Sequence, residues 1–363
     1  TRFESLWSLP YGVSYNSYLV IDEKVALIDT VEVSFGEQFI DNIRAILKDR
    51  PIDYLVVDHM EPDHSSSIKT LRLLYPEMQI VGNAKTLQML DGYYGIHTLT
   101  REVKEGESIS LGQKNLSFYM APMVHWPEVM VTYCPEHKVL FSADAFGKFG
   151  ALNADEDWAC EARRYYFGIV GKYGGPVQTL LKKAAGLDIA VICPLHGPVL
   201  SENLGYYLNL YDIWSSYGVE SEGVCIAYTS VYGNTKKAVE YLAEQLRANG
   251  CAKVAVNDLA RCDMAEAVED AFRYGKLVLA TTTYNGSIFP FMRDFIDHLT
   301  ERGYQKRTVA FIENGSWAPT AARNMAKMFE NSKDIEQVGT VTIRSAMTDE
   351  NKAQLDALAK ELA

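Results

Sequence analysis

Past residue 223 the chain alternates strictly between short apolar strands and amphipathic helices, and few architectures accommodate that pattern. Apolar runs read as strands at 224–228, 253–257, 277–280, 309–312 and 341–344. Between the first two, Val239, Leu242, Ala243 and Leu246 recur at three- and four-residue spacing, on one face of a helix. Strands joined through helices run parallel, and a parallel sheet needs helices on both faces. Five such units in succession predict a doubly wound parallel sheet, which takes its ligand at the carboxyl ends of its strands.

The earlier part of the chain follows another rule. Residues 17–21 and 25–29 flank Asp22-Glu23-Lys24 and read as a hairpin. Strands at 54–58 and 79–81 each lead into a helical pattern, at 66–74 and 84–90. Further strands read at 116–120, 129–133, 139–142 and 190–193. Many short strands with interleaved helices predict an αββα sandwich. The pattern changes around 218–223, so we place one α/β domain at 1–221 and a second at 222–363. No internal repeat or low-complexity segment interrupts either.

Composition removes several classes of function. A net charge of −12 with no basic run argues against a nucleic-acid surface. No apolar run approaches the roughly 20 residues that cross a bilayer. The start, Thr1-Arg2-Phe3-Glu4, lacks the charged and apolar regions of a signal peptide. Six cysteines (Cys134, Cys160, Cys193, Cys225, Cys251 and Cys262) are scattered without a Cys-x-x-Cys pair. That spacing predicts reduced thiols in a cytoplasmic protein, and no four-cysteine iron site within the chain.

The densest chemistry lies at His59-Met60-Glu61-Pro62-Asp63-His64, directly after an apolar strand. Two imidazoles and two carboxylates suit iron, manganese or zinc, whereas calcium and magnesium prefer oxygen alone. Glu61 makes the set more oxygen-rich than a structural zinc site. His125, Asp144 and His196 each follow a strand and open a loop, so all three can reach the same sheet edge. Seven ligands exceed one ordinary metal and suit two. Asp144 is the natural bridge, since ions roughly 3.5–4 Å apart can share a carboxylate. Alternation along an extended segment is expected to aim His59, Glu61 and Asp63 to one side, with His64 swinging in from the turn. His97, His137 and His298 have no ligand neighbours at useful spacing. Trp126 could wall the pocket, though plain packing serves it as well.

In the second domain, Thr229-Ser230-Val231-Tyr232-Gly233-Asn234-Thr235 follows the first strand and opens a helix. Hydroxyls and N–H groups at a helix N-terminus hold phosphate without a lysine. Neither Gly-Lys-Ser/Thr nor Gly-x-Gly-x-x-Gly occurs there, which favours a monophosphate such as that of FMN over ATP or NAD. An ordinary capped helix would use the same residues. Two more loops strengthen the ligand reading: Thr281-Thr282-Thr283-Tyr284-Asn285-Gly286 after the third strand, and Asn314-Gly315-Ser316-Trp317 after the fourth. An aromatic in each could sandwich a flavin ring, with Trp317 the better candidate for stacking.

Together these motifs resemble the flavodiiron proteins, or A-type flavoproteins. His-x-Glu-x-Asp-His carries Glu61 where the related metallo-β-lactamases have a second histidine, and the phrases Ala-Pro-Met-Val-His125-Trp-Pro and Ser-Ala-Asp144-Ala-Phe-Gly match the family's. The three loops of the second domain resemble the phosphate and ring loops of flavodoxins, with Thr282 in place of a common proline. The resemblance spans essentially the whole chain. It implies a metallo-β-lactamase-like αββα sandwich followed by a flavodoxin-like domain holding FMN. It further implies one iron on His59, Glu61 and His125, a second on Asp63, His64 and His196, and Asp144 between them. Some relatives turn the histidine at position 64 away. The implied activity is reduction of dioxygen to water and/or of nitric oxide to nitrous oxide. The implied electron donor is separate, a rubredoxin-like protein or reduced coenzyme F420. The implied assembly is a head-to-tail homodimer or a dimer of dimers, with one subunit's flavin beside the other's irons. Two other readings compete: a zinc hydrolase of metallo-β-lactamase fold with a flavodoxin-like appendage, and a non-catalytic FMN electron carrier.

Overall fold

The computed structural model describes residues 2–363. They form two compact units. The first comprises Leu9–Tyr166 and Gly175–Asp212; the second comprises Ile213–Ala363 together with Arg2–Ser8 and Phe167–Gly174.

The first unit stacks two five-stranded sheets. One runs in the order Tyr18–Ile21, Val25–Ile28, Tyr54–Val56, Gln79–Gly82, Thr100–Glu102, and only its first pair is antiparallel. The other runs in the order Val191–Cys193, Val139–Phe141, Met130–Cys134, Asn115–Met120, Ser108–Ser110. The strand Val25–Ile28 shows how the sequence builds both interfaces. Val25 and Leu27 join Phe39, Ile40, Ile43 and Leu47 of the helix Gly36–Leu47. Ala26 and Ile28 face the opposite way, into a core shared with Phe118, Met130 and Phe141 of the second sheet. Successive side chains alternate across a strand, so an unbroken apolar run is what a sheet covered on both faces requires. Each large apolar side chain so buried contributes about 1.5–3 kcal/mol.

Strand direction then positions the functional loops. Val139–Phe141 pairs in parallel with Val191–Cys193, so Asp144 and His196 leave the second sheet at the same end. Tyr54–Val56 delivers His59 from the first sheet. Here the structure corrects one expectation, because the segment 59–64 is not extended throughout. Pro62 opens a helical turn, Pro62–Ser65, with Glu61 as its N-cap. Proline's fixed φ suits the first helical position, and that turn aims Asp63 away from His59 and Glu61.

The second unit contains the parallel sheet expected from the alternation. Its order is Val254–Asp258, Ser221–Tyr228, Tyr274–Tyr284, Arg307–Asn314, Ile335–Ile343, which is 2-1-3-4-5 in chain order. Val239, Leu242, Ala243 and Leu246 of the helix Asn234–Ala248 pack on it as their spacing required. A second correction falls on residues 281–284, which are strand rather than loop. The third strand continues to Tyr284 and turns back through Asn285 (φ 50°) and Gly286 (φ 70°) into Ser287–Ile288. Two successive positive φ values make a type I′ hairpin, for which Asn-Gly is the favoured pair. Among the described residues, no helix is long and apolar enough to cross a membrane.

Candidate metal centre and cofactor cleft

Seven side chains from separate loops of the first unit converge in two groups. His59, Glu61, His125 and Asp144 form one; Asp63, His64 and His196 form the other. In the first, Glu61 Oε2 lies 3.2 Å from His59 Nε2 and 3.0 Å from His125 Nε2. Asp144 Oδ2 lies 3.3 Å and 3.1 Å from the same two nitrogens. In the second, His64 Nε2 is 3.1 Å from His196 Nε2, and Asp63 Oδ2 is 3.3 Å and 3.4 Å from these. Asp144 turns its other oxygen, Oδ1, to this group, 3.2 Å from His64 Nε2. One carboxylate thus offers an oxygen to each group.

These spacings are those of donors around an ion. Bonds of about 2.0–2.2 Å put neighbouring donors roughly 3.0–3.4 Å apart. The hydrogen-bond pattern agrees. His59 Nδ1 lies 2.8 Å from Glu128 Oε1, and His196 Nδ1 lies 2.8 Å from the Ser14 carbonyl. Both partners only accept, so each ring places its proton on Nδ1 and turns the lone pair of Nε2 into the cluster. Two imidazole nitrogens facing each other at 3.1 Å need a cation between them or a proton on one. Neither oxygen of Asp63, nor Oδ1 of Asp144, has a hydrogen-bond partner among the described residues, although all three atoms are buried. A pair of divalent ions would give Asp63 Oδ2, Asp144 Oδ1 and the facing imidazole nitrogens a partner.

Electrostatics lead to the same conclusion. Burial disfavours charge on His59, but Asp144, Glu128 and Glu61 together hold its pKa well above the usual range. Burial likewise opposes a charged His125, and its contacts with Asp144 and Glu61 push it up to about 9. Asp144 is held well below the carboxylate range despite burial, by His59 and His64 foremost. The metal-free pocket is a concentration of negative charge that binds protons in place of cations.

Backbone contacts fix the loops. Asp29 Oδ1, carried on a residue at φ 52°, accepts the N–H groups of Asp58 and His59. Thr132 donates its hydroxyl to Asp58. The Thr30 hydroxyl and N–H both bond the His64 carbonyl. Trp126 stands edge-on to His59 with ring centroids 5.4 Å apart, so it does wall the cluster. Tyr15 lies edge-on to His196, with ring centroids 5.5 Å apart. His97 is exposed beside Asp91, and His298 packs against Trp7 within the second unit; neither belongs to these two groups.

In the second unit, a cleft of about 560 Å³ opens where the three loops meet. Ser230, Val231, Tyr232, Asn234 and Thr235 line it from the first loop. Thr282, Thr283, Tyr284, Asn285 and Gly286 line it from the hairpin, and Asn314, Gly315, Ser316 and Trp317 from the fourth strand's end. Two expected residues do not line it. Thr229 is buried and bonds Thr281 through its hydroxyl at 2.6 Å, which cross-links two strands. Gly233 makes the turn itself at φ 88°, and its N–H bonds Ser230 Oγ. Ala318, Thr320 and Ser345 line the cleft without having been expected. Thr320 belongs to the segment after Trp317, and Ser345 follows a fifth strand whose loop carries no recognisable pattern.

The cleft fits a flavin mononucleotide. The hydroxyls of Thr235 and Thr282 are buried without a hydrogen-bond partner among the described residues, and both line the cleft. Thr235 lies in the first turn of a helix whose N-cap is Gly233 and whose Lys236 N–H is taken by Ser230 Oγ; the N–H groups of such a turn attract an anion. Trp317 and Tyr232, 88% and 93% exposed, offer uncovered aromatic faces at its rim.

A family model described as ODP family beta lactamase matches residues 13–197, slightly more than half of the chain, and a flavodoxin domain model matches 225–351. A nitric oxide reductase of Moorella thermoacetica is 30% identical over 333 residues, covering 89% of this chain and 83% of the relative. The chain belongs to the flavodiiron proteins. Two other comparisons agree. The rubredoxin oxygen:oxidoreductase of Desulfovibrio gigas superposes with a TM-score of 0.92 at 25% identity, covering 99% of this chain and 92% of that one. A single-site variant of a flavo di-iron protein from Thermotoga maritima gives 0.90 at 26% identity, with coverage of 100% and 94%. Like its flavodiiron relatives, the chain is an oxidoreductase with a di-iron centre and FMN as its cofactors.

Proposed function

We propose that this flavodiiron protein takes electrons from an external donor and uses them to reduce dioxygen to water and/or nitric oxide to nitrous oxide. The observation that carries the reading is the double cluster joined by Asp144, with Glu61 as the carboxylate between His59 and His125. When bound, FMN supplies a two-electron store that can be discharged singly, and the iron pair supplies adjacent redox-active positions for a diatomic substrate. His59, Glu61 and His125 would hold one iron, Asp63, His64 and His196 the other, and Asp144 both. Glu61, Asp63 and Asp144 compensate the ions' charge, and the rings of Trp126 and Tyr15 restrict water around them. Ser230, Thr235 and the first turn of the helix Asn234–Ala248 would hold the phosphate, and Thr282–Gly286 and Asn314–Trp317 the ring. Glu61 weighs against a zinc hydrolase, and a complete ligand set weighs against a mere carrier.

The cluster and the cleft belong to different units. We therefore assign the family's head-to-tail homodimer, alone or paired, to this chain, with a rubredoxin-like protein or reduced F420 as its donor. No disulfide joins the cysteines among the described residues, which supports a reducing cytoplasm as its compartment. The test is metal analysis of purified protein, followed by anaerobic reduction and electrode measurement of each gas. Iron near two per flavin with rapid gas-dependent reoxidation is expected. Zinc in place of iron, or reduced protein that consumes neither gas, overturns the reading.

A further inference from the structure

The two halves of the cluster have like donors but unlike surroundings. Each has two imidazole nitrogens, one carboxylate of its own and one oxygen of Asp144. Behind His59 stands Glu128, fully buried, its Oε1 accepting from His59 Nδ1 at 2.8 Å and from the Met60 N–H at 2.9 Å. Asn83 holds the same residue from its backbone, donating to the Glu128 carbonyl at 2.6 Å. The segment is therefore anchored at both ends of the residue. The Nδ1 of His196 meets the neutral Ser14 carbonyl instead of a carboxylate. The Nδ1 of His64 is buried and has no hydrogen-bond partner among the described residues.

We propose that Glu128 is a positioning residue for His59, and that it makes the two iron positions unequal, the His59–Glu61–His125 position holding its ion more tightly than the Asp63–His64–His196 position. This rests on the di-iron reading above. Three physical effects point the same way. A carboxylate behind an imidazole fixes its tautomer and makes its other nitrogen a better donor. It adds a negative charge one bond beyond the ligand shell, in a buried site where screening is weak. An imidazole whose Nδ1–H has no acceptor loses about 1–3 kcal/mol of hydrogen bonding on burial, so His64 is held loosely in the pose that binds metal. The consequence is a defined one-iron form. Limiting iron, or a mild chelator, should leave the protein with one metal at the His59 position, and the other position open to exchange.

The experiment uses the full chain loaded with iron and FMN. Samples are dialysed anaerobically against increasing concentrations of a ferrous chelator, and iron per flavin is measured. Purified protein without iron would defeat the di-iron reading itself; the inference is tested only by how bound iron leaves. Two steps with a plateau at one iron per flavin are expected. In Glu128→Gln, which keeps a hydrogen-bond acceptor but loses the charge, the tight step should move to lower chelator by about 10–100-fold, with the loose step unmoved. Glu128→Asp should restore part of the shift, and it keeps the test alive if the amide folds poorly. His64→Asn should move the loose step alone. Mössbauer spectra at the plateau should show one ferrous doublet, altered in Glu128→Gln and unaltered in His64→Asn. Loss of both irons in a single step from the unmodified protein, or an effect of Glu128→Gln confined to the loose step, overturns the proposal.

Discussion

Glu61 touches both imidazoles of its group, so its loss removes a donor and leaves two lone pairs converging on uncompensated charge. Outer partners of a metal site are worth about 10–100-fold, and a direct donor exceeds that. Glu61→Ala should therefore lower consumption of both gases at least about 100-fold, with the flavin absorption spectrum and stoichiometry unchanged. Full activity in that variant would refute the metal assignment. The thiols give a second residue-level test. Burial pushes Cys193 up to about 12 and Cys262 up to about 11, and holds Cys225 well above the usual thiol range. Their thiolate fraction near pH 8 is correspondingly small, so iodoacetamide should label these three slowly in the native protein and readily after denaturation, read by mass spectrometry. The seven donor side chains that converge were legible because strand ends gather polar residues for a reason the pattern exposes. Their division into two groups followed from the family resemblance and not from the spacing, since Pro62 replaces an extended alternation with a helical turn. Glu128 appears in the sequence as one glutamate among many. Only the 2.8 Å contact with His59 gives it a task.

The helix Asn234–Ala248 and the hairpin at Asn285-Gly286 carry the cofactor cleft. Thr235 buries a hydroxyl there that has no hydrogen-bond partner among the described residues. Thr235→Val should weaken FMN binding by about 10-fold, the worth of roughly one hydrogen bond to a charged group, measured by flavin fluorescence quenching. The thermal stability of the flavin-free protein should hold or rise, because the variant buries no unsatisfied polar atom. An unchanged FMN affinity would remove Thr235 from the phosphate site. At this level the sequence was most informative. Regular alternation foretold the doubly wound parallel sheet, and helical spacing foretold which face of the helix is buried. What escaped was the continuation of the third strand to Tyr284, because three threonines in a row read as loop. Asn-Gly, the strongest short hairpin signal, was present all along.

For the molecule as a whole, removing metal should make stability depend on pH in a specific direction. In the metal-free cluster burial lowers the pKa of His125, but Asp144 and Glu61 more than reverse this, to about 9, against roughly 6.5 for an unfolded histidine. A raised folded-state pKa contributes stability that is complete below about 6.5 and disappears as pH rises through about 9. The chelated protein should therefore melt several degrees lower at pH 9 than at pH 6.5, at about 2–4 °C per kcal/mol for units of this size. The iron-loaded protein, whose imidazoles bind metal in their neutral form, should change much less over that interval. Equal pH dependence with and without metal in scanning calorimetry would contradict this account.

The second unit also includes Arg2–Ser8 and Phe167–Gly174, which precede most of it in the chain. Phe167 stacks on Phe272 at 4.1 Å, and Trp7 packs against the Arg302 guanidinium and His298. The flavin unit is thus discontinuous in the gene, although the family's two halves read as beads on a string. No single cut releases it whole. A fragment beginning at residue 213 would leave the ring of Phe272 uncovered, and grafting or shuffling such fragments between relatives would inherit that defect. On the ribosome, Trp7 and Phe167 are made long before the sheet they pack against, and must wait for it.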